Sequence, residues 1–229
     1  MSLPAELSDT TLSKILDRFP VVLDSDRELT SPMSPAPVGR IRVWRGDGPV
    51  VKVVNVSLVV PPIGLDSHMI FAFTAPSSGV PHFTVDSVAN GESYAFHLDL
   101  IPRIDLATSL SYLDQVYEPL TPLYQEVRGR EGLTPAHLTP RQYALMSPWM
   151  LVNRATAEAF VGIGEAVDAY VTHWAGLVEA GIKADGTAER DAEHRALLFS
   201  PEIDPVWKQT VRLLGEEQSE SVRAELVAN

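Results

Sequence analysis

Asn90-Gly91 stands between two runs of alternating polar and apolar residues, and no other feature of the chain restricts its fold as much. A period of two marks a strand with one buried face. Asn-Gly is a strong signal for a two-residue hairpin turn. The first run puts Phe83 and Val85 on one face and His82, Thr84 and Asp86 on the other. Closing the turn on Asn90-Gly91 pairs Ala89 with Glu92, Asp86 with Ala95, Thr84 with His97 and His82 with Asp99. One face of the hairpin is then apolar, with Phe83, Val85, Tyr94, Phe96 and Leu98. The other carries Asp86, Asp99, His82 and His97, an acid–base surface rather than a second core face.

The neighbouring segments extend this hairpin into a sheet. Arg40 to Arg45 and Val50 to Val60 read as strands around the turn Arg45-Gly46-Asp47-Gly48-Pro49, and His68 to Phe73 reads as another. Consecutive strands on short turns make an antiparallel sheet. Before them, residues 6–18 read as a helix with Leu7, Leu12, Ile15 and Leu16 on one side. Residues 30–38 hold three prolines and read as a loop. After Asp105 the spacing turns helical. Residues 108–128 form one or two helices broken at Pro119 and Pro122, and 129–140 form a loop. Residues 143–153 fit a last strand or a turn of helix. Residues 155–180 are the clearest helix, with Phe160, Ile163, Val167, Tyr170, Val171, Trp174, Leu177 and Val178 at helical spacing and Gly181 at its end. Residues 183–198 are polar and mixed, and 204–214 open a final helix that leads into a charged tail. The class is α+β, in a single domain over 1–229: an N-terminal helix and loop (1–38), a sheet-forming region (39–106) and a mainly helical region (107–229).

Composition removes several functions. A net charge of −12 argues against nucleic acid and against an anionic membrane surface. The absence of cysteine excludes disulfides, thiolate catalysis, zinc–thiolate sites and cysteine-held iron–sulfur clusters. Met1 to Glu6 has neither a basic nor an apolar signal region, and no apolar run is long enough for a membrane helix, so a soluble, cytoplasmic protein without a visible transit peptide is expected. Gly162-Ile163-Gly164 lies inside the clearest helix and is not a dinucleotide loop.

Pro81-His82-Phe83 with an acid at Asp86, then Leu98-Asp99-Leu100-Ile101-Pro102-Arg103-Ile104-Asp105-Leu106, resembles red chlorophyll catabolite reductase, a relative of the ferredoxin-dependent bilin reductases. Tyr112-Leu113, Tyr117-Glu118 and Ser147-Pro148-Trp149-Met150-Leu151-Val152 continue the resemblance, whose order and spacing hold over roughly residues 40–215. The resemblance implies an α/β/α three-layer sandwich with a central, mainly antiparallel sheet flanked by helices, and a ligand between one sheet face and the C-terminal helices. It implies an enzyme without flavin, haem or nicotinamide. Such an enzyme takes single electrons from ferredoxin and supplies protons from pocket acids to an open-chain tetrapyrrole, a chlorophyll catabolite or a bilin. A homodimer is also implied.

Carried onto this chain, the resemblance makes Asp86 the proton-donating acid. The strand pattern alone also allows a solvated carboxylate or one paired with His97. Asp204, in Ile203-Asp204-Pro205, matches an acid beside the tetrapyrrole, although Asp followed by Pro is also what a helix cap requires. His68 stands about one residue from the position of a pocket histidine in bilin reductases. Phe83, within the motif, and Trp207, three residues after Asp204, are further candidate substrate contacts; core packing explains Trp207 equally well. The His–acid pair of bilin reductases one strand earlier is replaced here by Asn55 and Ser57, which favours a plant-type reaction over a biliverdin-type one. Arg103 between Asp99 and Asp105 reads as an ion pair fixing the strand end. Against an acidic ferredoxin, Arg40, Arg42, Arg45 and Lys52, or Arg128 and Arg130, are the basic groups available. The same pocket would also suit a non-enzymatic binding protein for a tetrapyrrole or another flat hydrophobic ligand.

Overall fold

The computed structural model describes residues 1–228. Helix α1 (Leu3–Arg18), started by the Ser2 side chain accepting the Ala5 amide, leads into strands β1 (Val22–Ser31), β2 (Ser34–Arg45), β3 (Val50–Val60), β4 (Leu65–Thr74), β5 (His82–Asn90) and β6 (Ser93–Ile101). A helical path follows: α2 (Leu110–Tyr112), a π turn (Leu113–Tyr117), a 3-10 turn containing Pro119 (Glu118–Leu120) and α3 (Thr121–Arg128). Then come β7 (Leu133–Pro135), α4 (Pro140–Tyr143), β8 (Leu151–Ala155), α5 (Ala157–Val161), α6 (Gly164–Ala180), α7 (Thr187–Leu198), α8 (Val206–Leu214) and α9 (Glu216–Val227). The strands form one antiparallel sheet in the order β1-β2-β3-β4-β5-β6-β8-β7.

Alternation along the central strands feeds two separate cores. Val53, Ile70, Phe83, Val85, Leu98 and Leu100 pack against α1, the 110–128 path and α6. Val54, Phe71, Phe73 and Ile101 pack on the other side against Phe199, Trp207, Leu214, Val222 and Leu226 of the C-terminal segment. The sheet is therefore the middle layer of an α/β/α sandwich. Among the described residues, no helix is long and apolar enough to cross a membrane.

The hairpin turn differs from the sequence expectation. Asn90 pairs with Ser93, so Gly91 and Glu92 make the turn, and Asp86 faces His97 while Thr84 faces Asp99. Gly91 takes a φ of +60°, and among the described residues no non-glycine residue has a positive φ. A positive φ at the first turn position alone is the II′ pattern, which needs glycine there. Asn90-Gly91 as the central pair would have needed Asn90 in that conformation as well. The ladder thus moves by two residues, an even number, so every side chain stays on its expected face.

Other departures have local causes. The expected loop at 30–38 is mostly strand. Pro35 and Pro37 lie in the irregular stretch of β2 between its Ser34–Ser31 and Gly39–Leu29 pairs, before its ladder to β3 starts at Gly39, and a proline without a donor is tolerated there. The expected 129–140 loop contains β7 at the sheet edge. The helix expected over 155–180 is split at Gly162 to Gly164, where the Gly162 carbonyl accepts a 2.6 Å bond from Arg130 Nη1 instead of continuing the helical ladder. The last helix is split by Gly215, at φ +81°. Arg103 turns from its sequence neighbours to Asp191 of α7, at 3.6 Å, and to the carbonyls of Thr74 and Pro76. Asp99 instead accepts from the Ser147 amide at 3.0 Å and its hydroxyl at 2.5 Å.

Candidate active site

The polar face of the β5–β6 hairpin is the floor of a cavity of about 170 Å³ beneath the C-terminal helices. Thr84 and Asp86 of β5 and His97 of β6 lie in the floor, extended by Ser67, Met69 and Phe71 of β4 and by Val56 and Leu58 of β3. Phe199 after α7, Asp204, Trp207 and Thr210 around the start of α8, and Val222 and Leu226 of α9 close it from above. The walls are mainly apolar, so polar groups inside have lost most of their water.

That loss sets the electrostatics. Burial, helped by the charge of Asp204, pushes the Asp86 carboxyl up to about 7; the Ser87 backbone amide pulls weakly the other way. Asp204 is also raised by burial, against the opposing pull of the Val206 amide. Burial pushes His97 down to about 4, so its imidazole is neutral at physiological pH. Three buried side-chain atoms of the β5–β6 hairpin have no hydrogen-bond partner among the described residues: Thr84 Oγ1, Asp86 Oδ1 and His97 Nε2. All three belong to cavity-lining residues. Asp86 and His97 are opposite each other on the ladder, yet neither unpartnered atom is spent on the other. The pairing that would have made Asp86 an ordinary strand carboxylate is not formed through Oδ1.

Asp204 combines two roles. Its Oδ1 accepts the Val206 amide at 3.0 Å in the turn that precedes α8, whose cap position is Pro205 rather than the expected Asp204, and the same carboxylate borders the cavity. The turn is fixed from behind by the Asp204 amide donating to Ser200 O at 3.0 Å. The arrangement is chemically specific: an acid near its midpoint at neutral pH, a second acid nearby, a neutral imidazole, and an indole, all facing one desolvated space.

The fold is similar to that of phytochromobilin synthase. The crystal structure of selenomethionine-labelled phytochromobilin synthase from tomato, in complex with biliverdin, matches with a TM-score of 0.75 and 18% identity, covering 98% of this chain and 85% of that chain. At this identity the likeness to phytochromobilin synthase shows a shared fold. No family model matches the sequence, and no curated protein does.

Of the residues singled out from the sequence, Asp86, Asp204 and Trp207 line the cavity together. His68 and Phe83 do not, and their expected place in it is corrected. On β4 it is Ser67, Met69 and Phe71 that face the cavity, so His68 points through the opposite face, where Nε2 meets Asp66 Oδ1 at 2.7 Å. An offset of one residue on a strand reverses the face. Phe83 is fully buried in the other core, its ring centroid 5.7 Å from that of Trp174. Thr84 and His97 were legible as neighbours of Asp86 by alternation. Met146, Phe199 and Thr210 carried no local signal, because distant elements bring them in.

Proposed function

We propose that this chain reduces a conjugated C=C bond of an open-chain tetrapyrrole, as a divergent relative of the ferredoxin-dependent bilin reductases and red chlorophyll catabolite reductase. The observation that carries the proposal is the meeting of Asp86 and Asp204 on one desolvated cavity, in a fold whose solved neighbour holds biliverdin. Reducing one such bond consumes two electrons and two protons. The electrons arrive singly from reduced ferredoxin, which is oxidised. Asp86 delivers a proton to the reduced pigment, since a carboxyl near its midpoint at neutral pH both holds and releases one. Asp204 assists by favouring the protonated form of Asp86 through its charge, and solvent supplies the second proton. The void is smaller than the roughly 300–1,000 Å³ of sites for drug-sized ligands. A bound tetrapyrrole must therefore reach beyond this void or displace the C-terminal helices that close it.

A second reading, a carrier that holds the pigment without reducing it, is favoured by one observation. The arginines available to an acidic ferredoxin are already engaged. Arg40 meets Asp26 at 3.1 Å, Arg42 bonds Asn55 and lies 3.9 Å from Asp9, and Arg45 meets Asp24 at 3.0 Å. Lys52 is buried, Arg130 pairs with Glu126, and Arg128 lies over the Tyr124 ring. Anaerobic absorption spectroscopy with biliverdin and other linear tetrapyrroles, before and after reduced ferredoxin, separates the readings. Bleaching or a band shift that needs both protein and reduced ferredoxin supports the reductase. A shift on mixing with no further change under reduction supports the carrier. No shift with any pigment sinks the substrate class.

A further inference from the structure

The β5–β6 hairpin presents four titratable groups to the C-terminal side of the sheet, and the protein treats them in two ways. His82 is fully engaged: Nδ1 accepts the Thr74 amide at 3.0 Å and Nε2 meets Asp191 at 2.7 Å. Asp99 is engaged by the amide and hydroxyl of Ser147. Asp86 and His97 line the cavity, and Asp86 Oδ1 and His97 Nε2 are left without partners. Leaving a buried polar atom unsatisfied costs about 1–3 kcal/mol. Asp86 has a use for that cost in proton delivery. His97 has none in the reaction described above, and a strand position next to Phe96 and Leu98 would pack a leucine or valine without it.

We infer that His97 is a substrate-binding residue, whose Nε2 hydrogen-bonds a neutral polar group on the edge of the tetrapyrrole, a ring N–H or a lactam carbonyl, and so fixes which carbon lies against Asp86. This rests on the tetrapyrrole reading of the cavity. The chemistry selects a neutral group. Two acids, Asp86 and Asp204, share the cavity, so a carboxylate of the ligand would meet like charge. A neutral imidazole can present Nε2 as donor or acceptor according to its tautomer, and suits either neutral group. The geometry selects the role. Residues directly opposite on a ladder have Cβ atoms about 4.5–5.5 Å apart, so a ligand edge held by His97 brings its adjoining carbons within reach of the Asp86 carboxyl. Thr84, next along the same face of β5 at roughly 7 Å, gives the edge a third polar contact through its own unpartnered hydroxyl.

The test compares wild type, His97→Leu and His97→Gln. Oxidised biliverdin is titrated without any electron donor and followed by absorption, and thermal denaturation is recorded for each protein. His97→Leu should weaken binding roughly 10- to 100-fold, about one hydrogen bond to a buried group, with Tm unchanged or raised because an unsatisfied polar atom is gone. His97→Gln, which keeps a donor and an acceptor, should restore affinity to within about threefold of wild type. In turnover with reduced ferredoxin, His97→Leu should give a mixture of reduction positions where wild type gives one. Wild-type affinity in His97→Leu overturns the role of His97 and leaves the substrate class standing. Failure of wild type itself to bind any linear tetrapyrrole overturns both.

Discussion

The two faces of the β5–β6 hairpin follow opposite rules. Toward α1 and α6 the strands present Phe83, Val85, Phe96, Leu98 and Leu100, none more than 3% exposed, closed by Trp174. Toward the C-terminal helices the same strands present His82, Thr84, Asp86, His97 and Asp99. The first face has only shape to satisfy. The second must find a partner for every buried polar atom, and it succeeds at His82 and Asp99 but stops short at Thr84, Asp86 and His97. A strand pair can thus hold a core on one side while the other side stays chemically unfinished. The unfinished atoms are those that line the cavity.

The largest effect that separates the faces is expected from Asp86→Asn. Turnover should fall by about 10²–10⁴, the usual contribution of a positioned proton donor, while pigment binding persists. Stability should move the other way. The folded carboxyl titrates near 7 against 3.8 for the free side chain, so the native state holds a proton that the unfolded state releases between those values. Native stability therefore falls as pH rises through that window and stays lower above it. Asparagine never ionises. The variant should match wild type near pH 4 and exceed it at pH 8, by on the order of 2–4 kcal/mol. Urea denaturation at the two pH values reads this directly. A variant less stable than wild type at pH 8 would mean that Asp86 is not desolvated.

On the other face, Trp174→Ala should cost about 3–5 kcal/mol. It removes an indole that packs on Phe19 and Phe83 and whose Nε1 donates to Pro81 O at 2.9 Å. Where the variant is still folded, its affinity for a tetrapyrrole should stay within about threefold of wild type, because the sheet lies between Trp174 and the cavity. A large loss of affinity in folded protein would show that the two faces are coupled.

Asp204→Asn sharpens the contrast inside the cavity. An asparagine side-chain oxygen can accept the Val206 amide as the aspartate does, so α8 should start as before and stability should change by less than about 1 kcal/mol. The lost charge acts on Asp86. Without it the Asp86 carboxyl ionises more easily and its value moves down from about 7. The alkaline limb of the pH–rate profile should therefore shift toward lower pH, by up to about one unit. A fixed limb with a lower Tm would reduce Asp204 to a residue of the turn before α8.

The sequence revealed faces better than partners. Alternation sorted Phe83 and Val85 from Thr84 and Asp86, and this survived a hairpin shifted by two residues because an even shift preserves faces. The α+β class followed from the same alternation. Asp86, Asp204 and Trp207 came from motif and spacing, and they share the cavity. What could not be read was long-range pairing. Arg103 sits between two aspartates in the chain and turns to Asp191, nearly ninety residues away, because α7 folds over the strand end. The α5–α6 break depends on Arg130 reaching the Gly162 carbonyl from another element. The polar composition of β1 hid an edge strand whose burial is slight.

The smallest expected effect tests the sheet most finely. His68 and Met69 are adjacent on β4, and alternation sends only Met69 into the cavity. His68→Ala removes a contact with Asp66 near the strand end. It should cost no more than about 1 kcal/mol and change tetrapyrrole affinity by less than about twofold. Met69→Ala enlarges the cavity floor beside Asp86, its ladder partner, and should change affinity by about tenfold, the worth of a few buried methylenes. Parallel titrations of the two variants decide it. If His68→Ala proved the more damaging, the register of β4 would have to slip by one residue. Asp86 pairs with Met69 on that ladder, so the assignment of the whole polar face would have to be revised with it.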